Sequence, residues 1–320
     1  MNTAANRPIT NRPSAPNTHT PIHLRPFARL LAAAVLLLAI TAAAPNAPAQ
    51  NLFVASANSN TVYEFVSTDG VLSTNPIIFA AGLTSPIGLA FDSKGDLFEG
   101  DANGRTIHEF ININNVLSTN ATLFATNVFV DFLAFTPAGD LIDGAGGSPS
   151  IIEFVNTDGV LSTNPTLLAS GLAEPSGVTA DSAGDVFEAN NGSGTINEFI
   201  NTDGVLSTNP TTFASGLNDP FSLAVDTAGN LFVADSGNNS IVEFLYTDGV
   251  LSTNPTTFAS GLNDPIGLAF DTAGNLFAAN SGVNTIIEFV NTGGVLSTNP
   301  ITFASGIAGP WMLAFSPSPA

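Results

Sequence analysis

Glu99, Asp143 and Glu188 stand 44 and 45 residues apart in a chain of 320 residues. Lined up on that period, the same column reads Val54, Glu99, Asp143, Glu188, Val233 and Ala278. Three successive units thus carry a carboxylate where the other three carry an apolar side chain. Asp101 follows two residues after Glu99, and Asp131 falls at the irregular start of the third unit. Acids gathered together without a basic partner need compensation, and hard oxygen ligands suit Ca2+, or Mg2+ with bound waters. A dication held there would polarise a carbonyl and activate water.

His108 is the one histidine beyond the first 23 residues, and Arg105 precedes it by three. A histidine that reached a cleft would be a candidate general base. Its column otherwise reads Tyr63, Ile152, Asn197, Val242 and Ile287, variable and often apolar, so a structural role is the preferred reading. The chain has no cysteine, which excludes disulfides, thiolate metal sites and thiol nucleophiles. The serine-rich loops lack a histidine partner, and no glycine-rich phosphate loop follows a strand.

The elements that must position these residues come from a repeat. Leu-Ser-Thr-Asn begins at Leu72, Leu117, Leu161, Leu206, Leu251 and Leu296. The unit around Pro220 to Gly261 reads as four strands, Phe221–Val225, Leu231–Ala234, Ser240–Leu245 and roughly Thr256–Ala259. Between them lie the turn Asp226–Gly229, the polar loop Asp235–Asn239 and the turn Thr247–Gly249. Gly229 supplies a positive φ, and Asp226 accepts hydrogen bonds from the turn backbone. Phe, Val, Ile and Leu fill the strands, and helical periodicity is absent.

Four short antiparallel strands in a unit of 40 to 45 residues are the mark of a propeller blade. The fold expected is all-β, a six-bladed β-propeller with blades at about 310–316 joined to 51–82, 86–126, 130–171, 175–216, 220–261 and 265–306. The first of these is shared: Asn51-Leu-Phe-Val is a second strand, and Pro310-Trp-Met-Leu-Ala-Phe315 is a lone first strand. Pairing them closes the ring and removes its open edges. In such a ring Glu99, Asp143, Glu188, Asp101 and Asp131 are expected to converge on one side of the channel mouth. The alternative leaves them solvated in a wide channel or hydrogen-bonded between blades. Glu64, Glu109, Glu153, Glu198, Glu243 and Glu288 each precede a phenylalanine in the third strand, and alternation puts Glu and Phe on opposite faces, an architectural pattern.

The pattern P-x-G-L-A-x-D-x-x-G-N-L-F-V-A-D-S-G-N-N-x-I resembles the NHL repeat, and more loosely the SMP-30/gluconolactonase group of six-bladed propellers. The likeness runs through the first half of each unit across 51–316 and departs at the stretch Thr-Asp-Gly-Val-Leu-Ser-Thr-Asn-Pro. The gluconolactonase resemblance implies a divalent ion held by carboxylate and amide side chains in the channel, although no lactonase motif matches residue by residue.

The first 49 residues hold four of the six basic residues and none of the 26 acids. An apolar run from Leu30 to about Ala44 is short of the roughly twenty residues that a membrane span needs. Ala47-Pro48-Ala49 then offers a small-x-small cleavage site. Residues 1–49 are therefore expected to be a signal peptide, the alternative being an uncleaved anchor helix, with 50–320 exported to the periplasm or beyond the cell as a monomer free of the membrane. That region keeps only Lys94 and Arg105 against all 26 acids. A surface so negative repels nucleic acid and anionic lipid, leaving cations, proteins or neutral ligands such as carbohydrate as partners.

Two functions fit. The preferred one is a non-enzymatic binding or scaffold module working through its channel-mouth loops, because the blades are nearly identical and the catalytic inventory is thin. The other is a divalent-metal-dependent lactonase or related hydrolase, resting on the acid column and on likeness of fold.

Overall fold

The computed structural model describes residues 50–318; the expected signal peptide, 1–49, lies outside the described residues. Six four-stranded antiparallel sheets form a ring. The second blade comprises Pro86–Phe91, Leu97–Asp101, Thr106–Phe110 and Thr122–Thr126. The third comprises Leu133–Phe135, Leu141–Asp143, Ser150–Phe154 and Thr166–Ser170. The fourth runs Pro175–Ala180, Val186–Asn190, Thr195–Phe199 and Thr211–Ser215. In the fifth the strands are Pro220–Val225, Leu231–Asp235, Ser240–Phe244 and Thr256–Ser260. The sixth has Pro265–Phe270, Leu276–Asn280, Thr285–Phe289 and Ile301–Ser305.

The first blade joins the two ends of the described chain. Pro310–Phe315 pairs with Leu52–Ser56, which pairs in turn with Thr61–Phe65 and then Ile77–Ala81. Leu52 lies opposite Phe315 and Val54 opposite Leu313, with a bulge before Ser56. The seam extends past the strands, since the Ser316 amide donates to the Asn51 carbonyl at 2.9 Å. Ring closure by a shared blade is thus what the structure has.

The turns follow from their residues. The Asp226 carboxylate accepts from the amides of Ala228 and Asn230, and Gly229 takes φ +90°, a conformation that only glycine adopts freely. The stretch after the third strand, which departs from the repeat pattern, forms a hairpin of its own. Tyr246–Thr247 pairs with Val250–Leu251, and both Asp248 and Gly249 have positive φ, as a tight two-residue hairpin turn requires. Such a ribbon projects between the third and fourth strands of every blade. Its valine, for example Val71, Val160 or Val295, is about 70% exposed, so the ribbons form an apolar fringe around the rim.

Each blade packs with both faces against its neighbours. In the fifth blade Leu223, Leu231, Val233, Val242 and Phe244 lie against Phe187, Ala189 and Ile196 of the fourth. Its other face, with Phe232, Ala234 and Ile241, meets Leu268, Ala278 and Phe289 of the sixth. Phenylalanines interlock these layers. Phe232 meets Phe258 edge-on at 5.2 Å and Phe270 of the next blade at 5.3 Å, while Phe258 reaches Phe289. The pattern recurs at Phe53, Phe79, Phe91 and Phe110, and at Phe277, Phe303, Phe315 and Phe65. Each edge-to-face pair contributes about 0.5–1.5 kcal/mol beyond its buried area. The phenylalanine of each Glu-Phe pair is fully buried and its glutamate half-buried, as strand alternation demands.

Candidate functional site

Both faces of a second strand meet a neighbouring blade, and only the first strands adjoin one another around the axis. The acid column lies on the face turned towards the preceding blade, because its equivalent Val233 packs there. Glu99, Asp143 and Glu188 are accordingly fully buried, each in a different inter-blade layer. Among the described residues the five acids do not form one cluster: the group of three close metal-ligating side chains is Glu99, Asp101 and His108. Six-fold rotation carries each second strand well away from the next, so a shared column position puts side chains in equivalent layers rather than in contact.

Glu99 meets His108. The two are paired across the second and third strands, with Glu99 Oε2 2.9 Å from His108 Nδ1. This is the one close contact between a basic and an acidic side chain among the described residues. Burial pushes the Glu99 carboxyl up to about 7, against the lowering effect of the His108 hydrogen bond; the same bond raises the imidazole, against its partial burial. Asp101, on the same face of the strand, completes a cluster whose ligand atoms lie within 4.8 Å of one another. One Asp101 oxygen also accepts from the Thr84 amide at 2.6 Å, fixing the connector from the first blade.

Asp143 and Asp131 form a separate pair in the third blade. Asp143 Oδ1 accepts from the amides of Ala145 and Asp131 at 2.9 and 3.2 Å. Burial raises Asp143 to about 8, with the Asp131 charge adding to it, and raises Asp131 to about 7. Glu188 stands apart from both. Its Oε2 accepts from Asn190 Nδ2 at 2.6 Å and Asn197 Nδ2 at 3.0 Å, and burial lifts it to about 8. All three column acids leave one oxygen buried without a donor: Glu99 Oε1, Asp143 Oδ2 and Glu188 Oε1. Neither cation of the described chain relieves them. Arg105 stacks on Phe129, 3.8 Å from the ring centre, and Lys94 Nζ donates to the Gly159 carbonyl.

Aromatic rings meet at the axis. Trp311 of the first blade touches Phe132 of the third and Phe221 of the fifth, with ring centres 6.4 and 5.9 Å apart. Blades that are not neighbours can meet only at the axis, so these rings cross it. Phe132 is fully buried there, and Ile266 is buried in the same cluster. A channel metal held by carboxylate and amide side chains, as the gluconolactonase resemblance implies, does not fit this lining.

The loops at the strand-2 ends are cross-braced. Asp235 accepts from the Asn218 amide at 2.7 Å and from Asn238 Nδ2 at 2.7 Å. Ser236 Oγ donates to Asp264 at 2.6 Å, while Asn239 Oδ1 accepts from the Asp264 amide. Asn190 and Asn280 hold the connectors at Ala173 and Asn263 in the same way. Sequence reasoning missed the Glu99–His108 pair, although the hairpin register sets those positions opposite each other. It also missed the Trp311–Phe132–Phe221 meeting, which no repeat column contains.

A family model for the NHL repeat matches residues 217–244. Among solved structures, a chain of the nidogen/laminin complex aligns with a TM-score of 0.68 at 16% identity, covering 85% of this chain and all of that one. A gluconolactonase from Xanthomonas campestris aligns with a TM-score of 0.56 at 17% identity, covering 73% of this chain and 84% of its own. Virginiamycin B lyase from Staphylococcus aureus gives 0.52 at 17% identity, over 72% and 77%. A search of the curated proteins found no match. Likeness at this identity is likeness of fold. The chain is a six-bladed β-propeller carrying an NHL repeat in its fifth blade.

Proposed function

We propose that the protein is exported and serves as a non-enzymatic binding module, presenting the braced loops at the strand-2 ends to a protein or carbohydrate. The observation that carries this reading is the bracing itself. Asp235, Asn239 and Asp264 tie the connectors and loops of adjacent blades together, so an asparagine-rich surface is held rigid before any ligand arrives. Ordering loops on binding costs affinity, and a preorganised surface avoids that cost. The fold shared with a chain of the nidogen/laminin complex lends support by analogy.

The hydrolase reading has less behind it. The five acids stand in three separate places, and aromatic rings occupy the axis where a substrate would enter. A glycan array and immobilised candidate proteins, probed with wild type and with Asn218→Lys/Asn263→Lys, test the proposal. Saturable binding to one ligand class, lost in the double variant, is the expected result. Turnover of glucono- or aliphatic lactones with added Ca2+ or Mg2+ would overturn it.

A further inference from the structure

We infer that Glu99, Asp101 and His108 form a binding site for one first-row transition dication, Zn2+ or a close relative, on the face of the second blade that meets the first. The inference is independent of the binding function proposed above. Three observations carry it. The ligand atoms of the three side chains already lie within 4.8 Å of one another, and a dication with bonds of about 2.0–2.2 Å draws its ligands to roughly 3–4 Å apart. Glu99 is fully buried, and its Oε1 has no donor, although a bare buried carboxylate oxygen is costly. Among the described residues no arginine or lysine is at hand to neutralise the two carboxylates, since Arg105 and Lys94 are engaged elsewhere.

The donor set selects the metal. Ca2+ and Mg2+ take oxygen ligands, whereas an imidazole with two carboxylates suits Zn2+, Fe2+ or related ions. The Ca2+ or Mg2+ expected from the acid column alone is thus replaced by a softer ion once His108 joins the set. Metal ligands bind in their deprotonated forms, so the ion would take the place of the hydrogen bond between Glu99 Oε2 and His108 Nδ1. His108 is 21% exposed, which gives the ion a way in. Asp101 also fixes the Thr84 amide, so the bound ion would tie the second and third strands to the connector from the first blade.

The molecule supplies its own controls. Asp143 and Glu188 share the column, the burial and the bare oxygen, but their cross-strand partners are Ile152 and Asn197. The test is calorimetric titration of chelator-treated protein with Zn2+, repeated in tenfold excess Ca2+. One Zn2+ per chain is expected, unaffected by Ca2+, with affinity reduced at least tenfold in Glu99→Gln and His108→Gln and unchanged in Asp143→Asn and Glu188→Gln. Co2+ should give a visible absorption band that His108→Gln abolishes. Should Glu99→Gln fail to fold, His108→Gln, at a partly exposed position, still decides the matter. No Zn2+ binding, binding indifferent to His108→Gln, or equal competition by Ca2+ would overturn the assignment.

Discussion

Glu99 and His108 face each other across one β-hairpin, 2.9 Å apart. The five other blades have no such pair. Where they have an acid in the Glu99 column, the opposite residue is isoleucine or asparagine. Where they have Val54, Val233 or Ala278, the opposite residue is tyrosine, valine or isoleucine.

Removing one partner should therefore cost more than removing both. In metal-free protein, His108→Val leaves the buried Glu99 without its partner and should destabilise by about 1–3 kcal/mol. Glu99→Val/His108→Val, which installs the pair of the fifth blade, should recover most of that loss. A double-mutant cycle in urea measures the coupling; an additive result would mean that the contact contributes nothing to stability.

Stability should fall as pH rises through neutrality. Asp143 and Glu188 have folded values near 8, well above their ordinary 3.8 and 4.5. The folded state therefore holds protons that the unfolded state has released. Stability from these groups is greatest below about pH 4 and is lost progressively up to about pH 8. The slope approaches ~1.4 kcal/mol per pH unit for each group. Asp131, which faces Asp143, adds with the same sign, as do the half-buried glutamates such as Glu153 and Glu198. Only the amides of Asn190 and Asn197 bond Glu188. Urea midpoints at pH 5.5, 6.5 and 7.5 should decline for wild type and flatten in Asp143→Asn/Glu188→Gln.

Phe132→Ala should cost about 3–5 kcal/mol, the range for a large side chain removed from a packed interior. Its ring is fully buried where the blades meet. Trp311 is the single tryptophan, so its emission reports on this place directly. A loss below 1 kcal/mol in denaturant unfolding would show that the axis is loosely packed.

Deleting residues 310–320 removes the first strand of the first blade and leaves Leu52–Ser56 as an open edge. Exposed apolar edges recruit other chains. The truncated protein should lose its single cooperative melting transition and aggregate on light scattering. A monomeric product with an unchanged Tm would show that the seam adds nothing to the ring.

Much of this architecture could be read from the repeat. The strand boundaries and the Asp226–Gly229 turn follow from local signals repeated six times, and the joining of the two end strands into one blade follows from where each falls in the repeat. The site was less legible for a geometric reason. A repeat column assigns Glu99, Asp143 and Glu188 equivalent environments, but rotation about the axis keeps them apart. The meeting of Trp311, Phe221 and Phe132 was hidden by register. A bulge follows Pro220 in the first strand of its blade, whereas the third blade's first strand pairs only from Leu133 onward. Phe132 thus stands one position away from the column that holds Phe221 and Trp311. The partner of Glu99 is set by hairpin register alone, which places the Glu99 and His108 columns opposite each other.

The seam that joins Phe315 to Leu52 is a strand pairing of the same kind as those inside the other blades, and Gln50 Nε2 reaches the Ser316 carbonyl at 2.7 Å. With its ends side by side, the ring keeps little memory of where its polypeptide starts. A short linker could join the two ends and a new break be placed in any exposed connector, such as the one before Pro220 or Pro265, with every strand keeping its neighbours. Order along the chain and order around the ring are then separate properties, and a repeat of this kind can gain or lose its point of origin without changing its shape.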